Sequence, residues 1–242
     1  MSLLWGLLTR RAADAELPAD VGPDPEPDVE TEAEEEAAPP LPPVLHLTDA
    51  DFERAAAALN CEVAAVRAVA EIEAAGRGFL APDGPFGGRP QILYEAHIFH
   101  RQTNGRHAAA RDRRGVALSV PRWDRTLYGR AGAAQHERLA DAAALDWEAA
   151  HRASSWGLFQ ILGTTHAAVG HPTIQGFVEA MEAGAGPHLD AFVAFVQTNR
   201  LDGPLRRRYW RAFARGYNGP GFAQNRYDQK LAAAYARWQA KS

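Results

Sequence analysis

Between Ala12 and Pro43 the chain is acidic and proline-rich, with no aromatic residue and few large aliphatic ones. Ordering a residue's backbone costs roughly 1–2 kcal/mol, and so polar a stretch lacks the apolar surface to offset that cost. Residues 1–44 are therefore expected to form a disordered acidic, Pro-rich arm, with folding beginning near Leu45. Residues 1–50 hold 12 of the 30 Asp/Glu but only 2 of the 26 Lys/Arg, so this end carries a formal −10 and the remainder +6. The two parts should attract different partners. At the extreme N-terminus, Leu3 to Leu8 is apolar but short, and Arg10 and Arg11 follow it where a secretory signal would place positive charge ahead. No cleaved signal peptide is expected; a short docking or membrane-surface element is the alternative to a frayed end.

The second region, 45–242, is long enough for one globular domain, and the chain is 46% hydrophobic. No apolar run approaches the roughly 18–20 residues that cross a bilayer, so no stable membrane span is expected. A single cysteine, Cys61, rules out an internal disulfide framework and a Cys-based zinc cage. Thr48 followed by Asp51 has the form of a capping box opening a helix over about 49–59. Asn60 is expected to cap a second helix, Cys61 to Ala75, closed by Gly76. Helical patterns recur at 96–103, 131–144, 155–162, 174–183, 187–199, 205–215 and 226–240. Between Gly78 and Glu95, Gly and Pro punctuate a short strand or extended arm around Gln91 to Glu95. The expected architecture is mostly α with a small β or irregular insertion.

One carboxylate sits where the helical pattern does not want it. At about 100° per residue, Glu73 falls among Val63, Val66, Val69 and Ala70, mid-face on the second helix. Glu71 falls on the solvent side, beside Arg67 as a possible ion-pair partner. Burial disfavours an ionised carboxylate and keeps it protonated nearer neutrality, which is the state a general acid needs. The plainer alternative is that Glu73 reaches water or caps amides in the following glycine loop. Farther on, Gln160 lies amid apolar residues and is either a core hydrogen-bonder or a substrate contact. The segment Arg215 to Gly221 reads as a turn that presents Tyr217 and Asn218 together, a pairing suited to a sugar's apolar faces and hydroxyl edges.

The order Glu73-Ala-Ala-Gly-Arg-Gly-Phe, then Gly-Leu-Phe-Gln160-Ile, then Gly-Tyr217-Asn218-Gly resembles the lysozyme superfamily, goose-type lysozymes and soluble lytic transglycosylases in particular. More closely, the chain resembles the N-acetylmuramidase family of phage-type endolysins. The matching segments are Ala68 to Glu73, Gly78 to Leu80, Gly88 to Phe99, Ala153 to Gly163 and Tyr217 to Pro220. Departures are Ala74 where the family often has Ser, Ala96 where Arg is usual, and a longer loop from Ala81 to Gly88. The resemblance implies a lysozyme-like α+β catalytic domain over 45–242 that cleaves the β-1,4 bond between N-acetylmuramic acid and N-acetylglucosamine.

It further implies that Glu73 is the general acid, with Glu95 as first and Asp83 as second candidate for the other carboxylate. Glu95 has an alternative as a structural partner of Arg89 or His97, and Asp83 as an ordinary turn aspartate. Gln160, Tyr217 and Asn218 are assigned to substrate binding, with Ser155 a weaker candidate that alternatively caps a helix. The alternatives at the level of function are a lytic transglycosylase leaving 1,6-anhydro ends and a noncatalytic wall-binding module. No cofactor and no metal is expected: His97, His100 and His107 lack a third ligand at recognisable spacing. Arg206 to Arg208, beside Tyr209 and Trp210, reads as a solvated face that favours anionic wall polymers, with no nucleic-acid partner expected. Cys61 at a helix start has the position of a low-pKa thiol but no organised partners. The expected partner is the glycan strand of peptidoglycan. The enzyme is expected to be made in the bacterial cytoplasm and to reach its substrate through a holin or a secretion machine, with an immunity partner in the latter case.

Overall fold

The computed structural model describes residues 45–74 and 78–241. The expected arm, residues 1–44, and Gly76, expected to close the second helix, lie outside the described residues. Within them the architecture is mostly α with a small three-stranded sheet, as expected.

Helix α1 (Asp49–Leu59) opens on the expected capping box. Thr48 Oγ1 accepts from the Asp51 amide at 3.3 Å, and Asp51 Oδ2 accepts from the Thr48 amide at 2.9 Å; such a cap contributes about 1 kcal/mol. Asn60 closes this helix instead of opening the next, in left-handed backbone with φ 49°, a conformation Asn tolerates better than most residues. Helix α2 (Val63–Ala74) follows, with Val66, Ala68 and Val69 completely buried. Its alanines let α10 (Tyr227–Gln239) pack closely along it. Glu71 pairs with that helix, not with Arg67: it accepts from Trp238 Nε1 at 2.8 Å and from Arg237, while Arg67 turns to Asp49 at 2.5 Å.

The sheet joins β1 (Ile92–Tyr94), β2 (Ser154–Trp156) and β3 (Ile161–Leu162), all antiparallel, with Leu93 opposite Ser155 and Trp156 opposite Ile161. The single helix expected over 155–162 is therefore a β-hairpin. Two residues inside it take positive φ, Gly157 at 68° and Gln160 at 49°, which turns the chain back after only three strand residues. A Cβ on Gly157 would lie 2.5 Å from the His188 ring, so the turn needs glycine for space as well as for conformation.

Around the sheet lie α3 (Ala96–Gln102), α4 (Ala133–Ala143), α5 (Trp147–Arg152), α6 (Ile174–Ala183) and α7 (Ala185–Thr198). Helix α5 was not anticipated; Asp146 caps it by accepting from the Ala149 amide at 3.0 Å. The helix expected over 205–215 is two, α8 (Asp202–Arg206) and α9 (Trp210–Asn218). The break falls at Arg208, whose φ is 57° and whose guanidinium reaches Glu62 at 2.6 Å. The expected turn at 215–221 begins only at Gly219: Tyr217 and Asn218 are still helical, because Phe213 and Tyr217, four residues apart, share a buried face with ring centroids 5.4 Å apart. No helix among the described residues is long and apolar enough to cross a membrane.

Candidate active site

Glu73 stands on the last turn of α2 and is 7% exposed. Helix α10, docked against α2, brings Tyr227 to it, and the Tyr227 hydroxyl donates to Glu73 Oε1. Burial raises both the Tyr227 and the Tyr217 phenols well above the usual tyrosine range, and the nearby Glu73 charge adds to this. Both therefore stay protonated donors at neutral pH. Asn218 lies against the Tyr227 hydroxyl, which it favours in ionised form. Neither atom of its amide makes a hydrogen bond of normal geometry, although the residue is buried. A buried amide without well-formed hydrogen bonds costs about 1–3 kcal/mol, so its presence here calls for an explanation.

The structure thus brings Glu73, Tyr217 and Asn218 together, and adds Tyr227, which no local pattern singles out. Tyr217 is a core residue for most of its ring, packed against Phe192, Phe195 and Phe213. Its hydroxyl donates to Phe159 O at 3.3 Å, tying it to the residue beside Gln160. Gln160 is half-buried, and its Nε2 donates to Gly157 O at 2.9 Å and Gln91 O at 3.3 Å. Its amide nitrogen thus joins the β2–β3 turn to the residue before β1. Ser155 lies in the buried centre of β2 and caps no helix.

Backbone bonds tie the segment after α2 to the β2–β3 turn, and Glu95 to the end of α5. Gln91 N donates to Gly78 O at 2.7 Å, Gly157 N donates to Gln91 O at 2.7 Å, and Glu95 N donates to Ala153 O at 2.9 Å. The turn at Gly157 is braced from α7 by His188, whose Nδ1 accepts from the Leu158 amide at 3.1 Å and whose Nε2 donates to Met181 O at 2.7 Å.

Glu95 occupies the N-cap position of α3 but does not cap it. Its carboxyl turns inward, 5% exposed, and accepts at Oε2 from Tyr128 OH at 2.5 Å. Burial pushes this carboxyl up to about 7, against the lowering effects of the Tyr128 hydrogen bond and of Arg101. His97 Nδ1 lies 3.4 Å from the same oxygen, but burial holds the imidazole down to about 4. At neutral pH that contact is a neutral imidazole beside a carboxyl group and not an ion pair. Of the two structural partners considered for Glu95, His97 is adjacent, and Arg89 instead lies over the Phe86 ring. Asp83 is exposed in the 81–88 loop, and among the described residues no hydrogen bond links it to Glu73 or Glu95.

The three histidines considered for a metal are otherwise employed: His97 beside Glu95, His100 on Ser119 Oγ at 2.9 Å, and His107 against Phe99. No cluster of metal-ligating residues occurs among the described residues. Burial pushes the Cys61 thiol up to about 11, which makes it unreactive at neutral pH.

A family model for N-acetylmuramidase matches residues 62–239. Among solved structures, the crystal structure of a Burkholderia AP3 phage endolysin matches at 41% identity and a TM-score of 0.66, over 81% of this chain and 72% of that one. No curated protein matches.

Proposed function

This chain belongs to the N-acetylmuramidase family and is a lysozyme-type glycoside hydrolase of peptidoglycan, and from that premise we propose that Glu73 is its general acid. The observation that carries this reading is a carboxyl group buried on a helix end, with one oxygen fixed as an acceptor by Tyr227. In its acid form the carboxyl group delivers a proton to the glycosidic oxygen as an oxocarbenium-like transition state develops.

Glu95 is the proposed second carboxylate, orienting water or stabilising the sugar cation, and its inward position near the β1 end favours it over the exposed Asp83. Asn218, whose buried amide makes no hydrogen bond of normal geometry, and Gln160 are proposed to bind substrate amide or hydroxyl groups. Tyr217, mostly packed in the core, supports them from behind. Access to the wall is proposed to run through a holin or secretion machine; lysis of cells expressing this chain alone would refute that dependence.

The test is a digest of purified peptidoglycan by wild type and Glu73→Gln, with released fragments analysed by mass spectrometry before and after borohydride reduction. Wild type should yield reducible muramic acid ends, and Glu73→Gln should lose about 10²–10⁴-fold in rate with fold and wall binding intact. Full activity in a clean Glu73→Gln preparation would remove Glu73 from the chemistry. Reducible glucosamine ends would move the scissile bond, ends lighter by one water would make the enzyme a lytic transglycosylase, and no fragments at all would leave a binding module.

A further inference from the structure

The geometry points to Tyr128 as a positioning residue, itself oriented by Trp123, that fixes which oxygen of Glu95 accepts and which is turned to the reaction. The inference rests on Glu95 being the second carboxylate. Tyr128 OH lies 2.5 Å from Glu95 Oε2, and Trp123 Nε1 lies 2.7 Å from Tyr128 OH. An indole N–H only donates, so the phenol oxygen accepts from Trp123, and the single phenol proton is left to point at Glu95. The relay has one direction: Trp123 to Tyr128 to Glu95. It commits Oε2 as an acceptor and favours the charged carboxylate, since a hydrogen bond to the ionised form stabilises it.

The loop that carries the relay is built in from several sides. Gln135 on α4, almost fully buried, donates from Nε2 to Tyr128 O at 2.6 Å and Arg130 O at 2.7 Å, and accepts at Oε1 from the Tyr94 amide at 3.1 Å. Tyr128 is thereby clamped to the residue next to Glu95. Asp124 caps the short 3-10 turn over Arg125–Leu127 through the Thr126 amide at 2.9 Å. The titratable and charged groups facing Glu95 are Tyr128 from this loop and His97 and Arg101 from α3. His97 Nδ1 stands 3.4 Å from Oε2 and Arg101 acts at a distance, whereas Tyr128 at 2.5 Å makes the shortest contact described to the carboxyl group. A small opening lined by Tyr94, His97, Leu127 and Tyr128 adjoins it, with Trp123, 40% exposed, at its rim. The indole thus meets solvent on one side and the relay on the other.

The experiment uses the full chain with Tyr128→Phe, Trp123→Phe and Glu95→Gln. Two quantities are read: the Glu95 carboxyl titration by carbon NMR, assigned by its loss in Glu95→Gln, and the pH profile of wall degradation. In Tyr128→Phe the Glu95 titration and the acid limb of the profile should both rise by roughly one pH unit. The rate at pH 7 then falls several-fold and recovers toward wild type at about pH 8–9. Trp123→Phe, which keeps the ring and removes the donor, should shift both in the same direction by less. An unmoved Glu95 titration in Tyr128→Phe overturns the proposal, as does a rate that drops equally at every pH. A folded, fully active Glu95→Gln would instead remove Glu95 from the chemistry, and the role of Tyr128 would still be decided by the NMR titration.

Discussion

Acid should loosen this fold through His188. The ring is 1% exposed, stacked on Phe79 at 4.8 Å, and placed between two backbone groups of opposite kind. Nδ1 accepts from the Leu158 amide and Nε2 donates to Met181 O, so only the neutral tautomer protonated at Nε2 satisfies both. A second proton would face the Leu158 N–H head-on. Burial lowers the imidazole from 6.5 to about 4 despite the Met181 carbonyl. A histidine depressed on folding contributes stability that is complete above its unfolded value and lost as pH falls toward the folded one. The window therefore runs from about pH 6.5 down to about pH 4, with a loss of about 2 kcal/mol between pH 7 and pH 5 and about 3 kcal/mol by pH 4. His97, also held down to about 4, adds a parallel slope that a variant at 188 leaves in place. Guanidinium unfolding of wild type and His188→Gln at pH 7 and pH 5 isolates the effect, because Gln keeps a donor and an acceptor but does not titrate. The stability gap between the two proteins should shrink by about 2 kcal/mol on going to pH 5. A gap of the same size at both pH values would refute the reasoning.

Tyr227→Phe should cut wall-degrading activity by roughly tenfold or more while the fold persists, since it removes the donor that fixes Glu73; unchanged kinetics would mean the contact is ornamental. Gly157→Ala should lose about 3–4 kcal/mol in chemical denaturation, combining left-handed strain with a Cβ driven into the His188 ring. Arg138→Met should cost about 3–5 kcal/mol, because Asp112, bonded to Arg138 Nη1 at 2.7 Å, would remain as a buried charge without its partner; a loss under 1 kcal/mol would contradict this. Glu95 has the opposite sign to His188: its folded value is raised, so the stability it contributes at acid pH is lost as pH rises through about 7. Glu95→Gln should therefore be more stable than wild type at pH 8, by on the order of 2 kcal/mol in thermal or denaturant melts.

What could be read from the sequence was largely what is local. The capping box at Thr48, the helix over Ile174–Ala183, the strand before Glu95 and the buried face of α2 follow from side chains within a turn or two of each other. Glu73 was legible because a carboxylate among valines breaks a helical period. The hairpin over Ser154 to Leu162 was not, since its period suits a helix and the positive-φ turn at Gly157 and Gln160 is braced by His188, some thirty residues away. Tyr227 and Tyr128 had no signal of their own. A tyrosine at a helix start or in a surface loop looks the same whether its hydroxyl meets water or a carboxyl group, and only the packing of α10 on α2 and the Gln135 clamp decide which.

The docking of α10 on α2 has a consequence for how such a hydrolase comes into being. A nascent chain that has reached only Asn218 already contains Glu73, Glu95, Gln160 and Tyr217, yet it lacks the hydroxyl that holds the Glu73 carboxyl in place. The ribosome must carry synthesis past Tyr227 and release enough of that helix to pack before the acid is set. On the roles proposed above, an interrupted product carries its substrate-binding residues but leaves the Glu73 carboxyl unfastened.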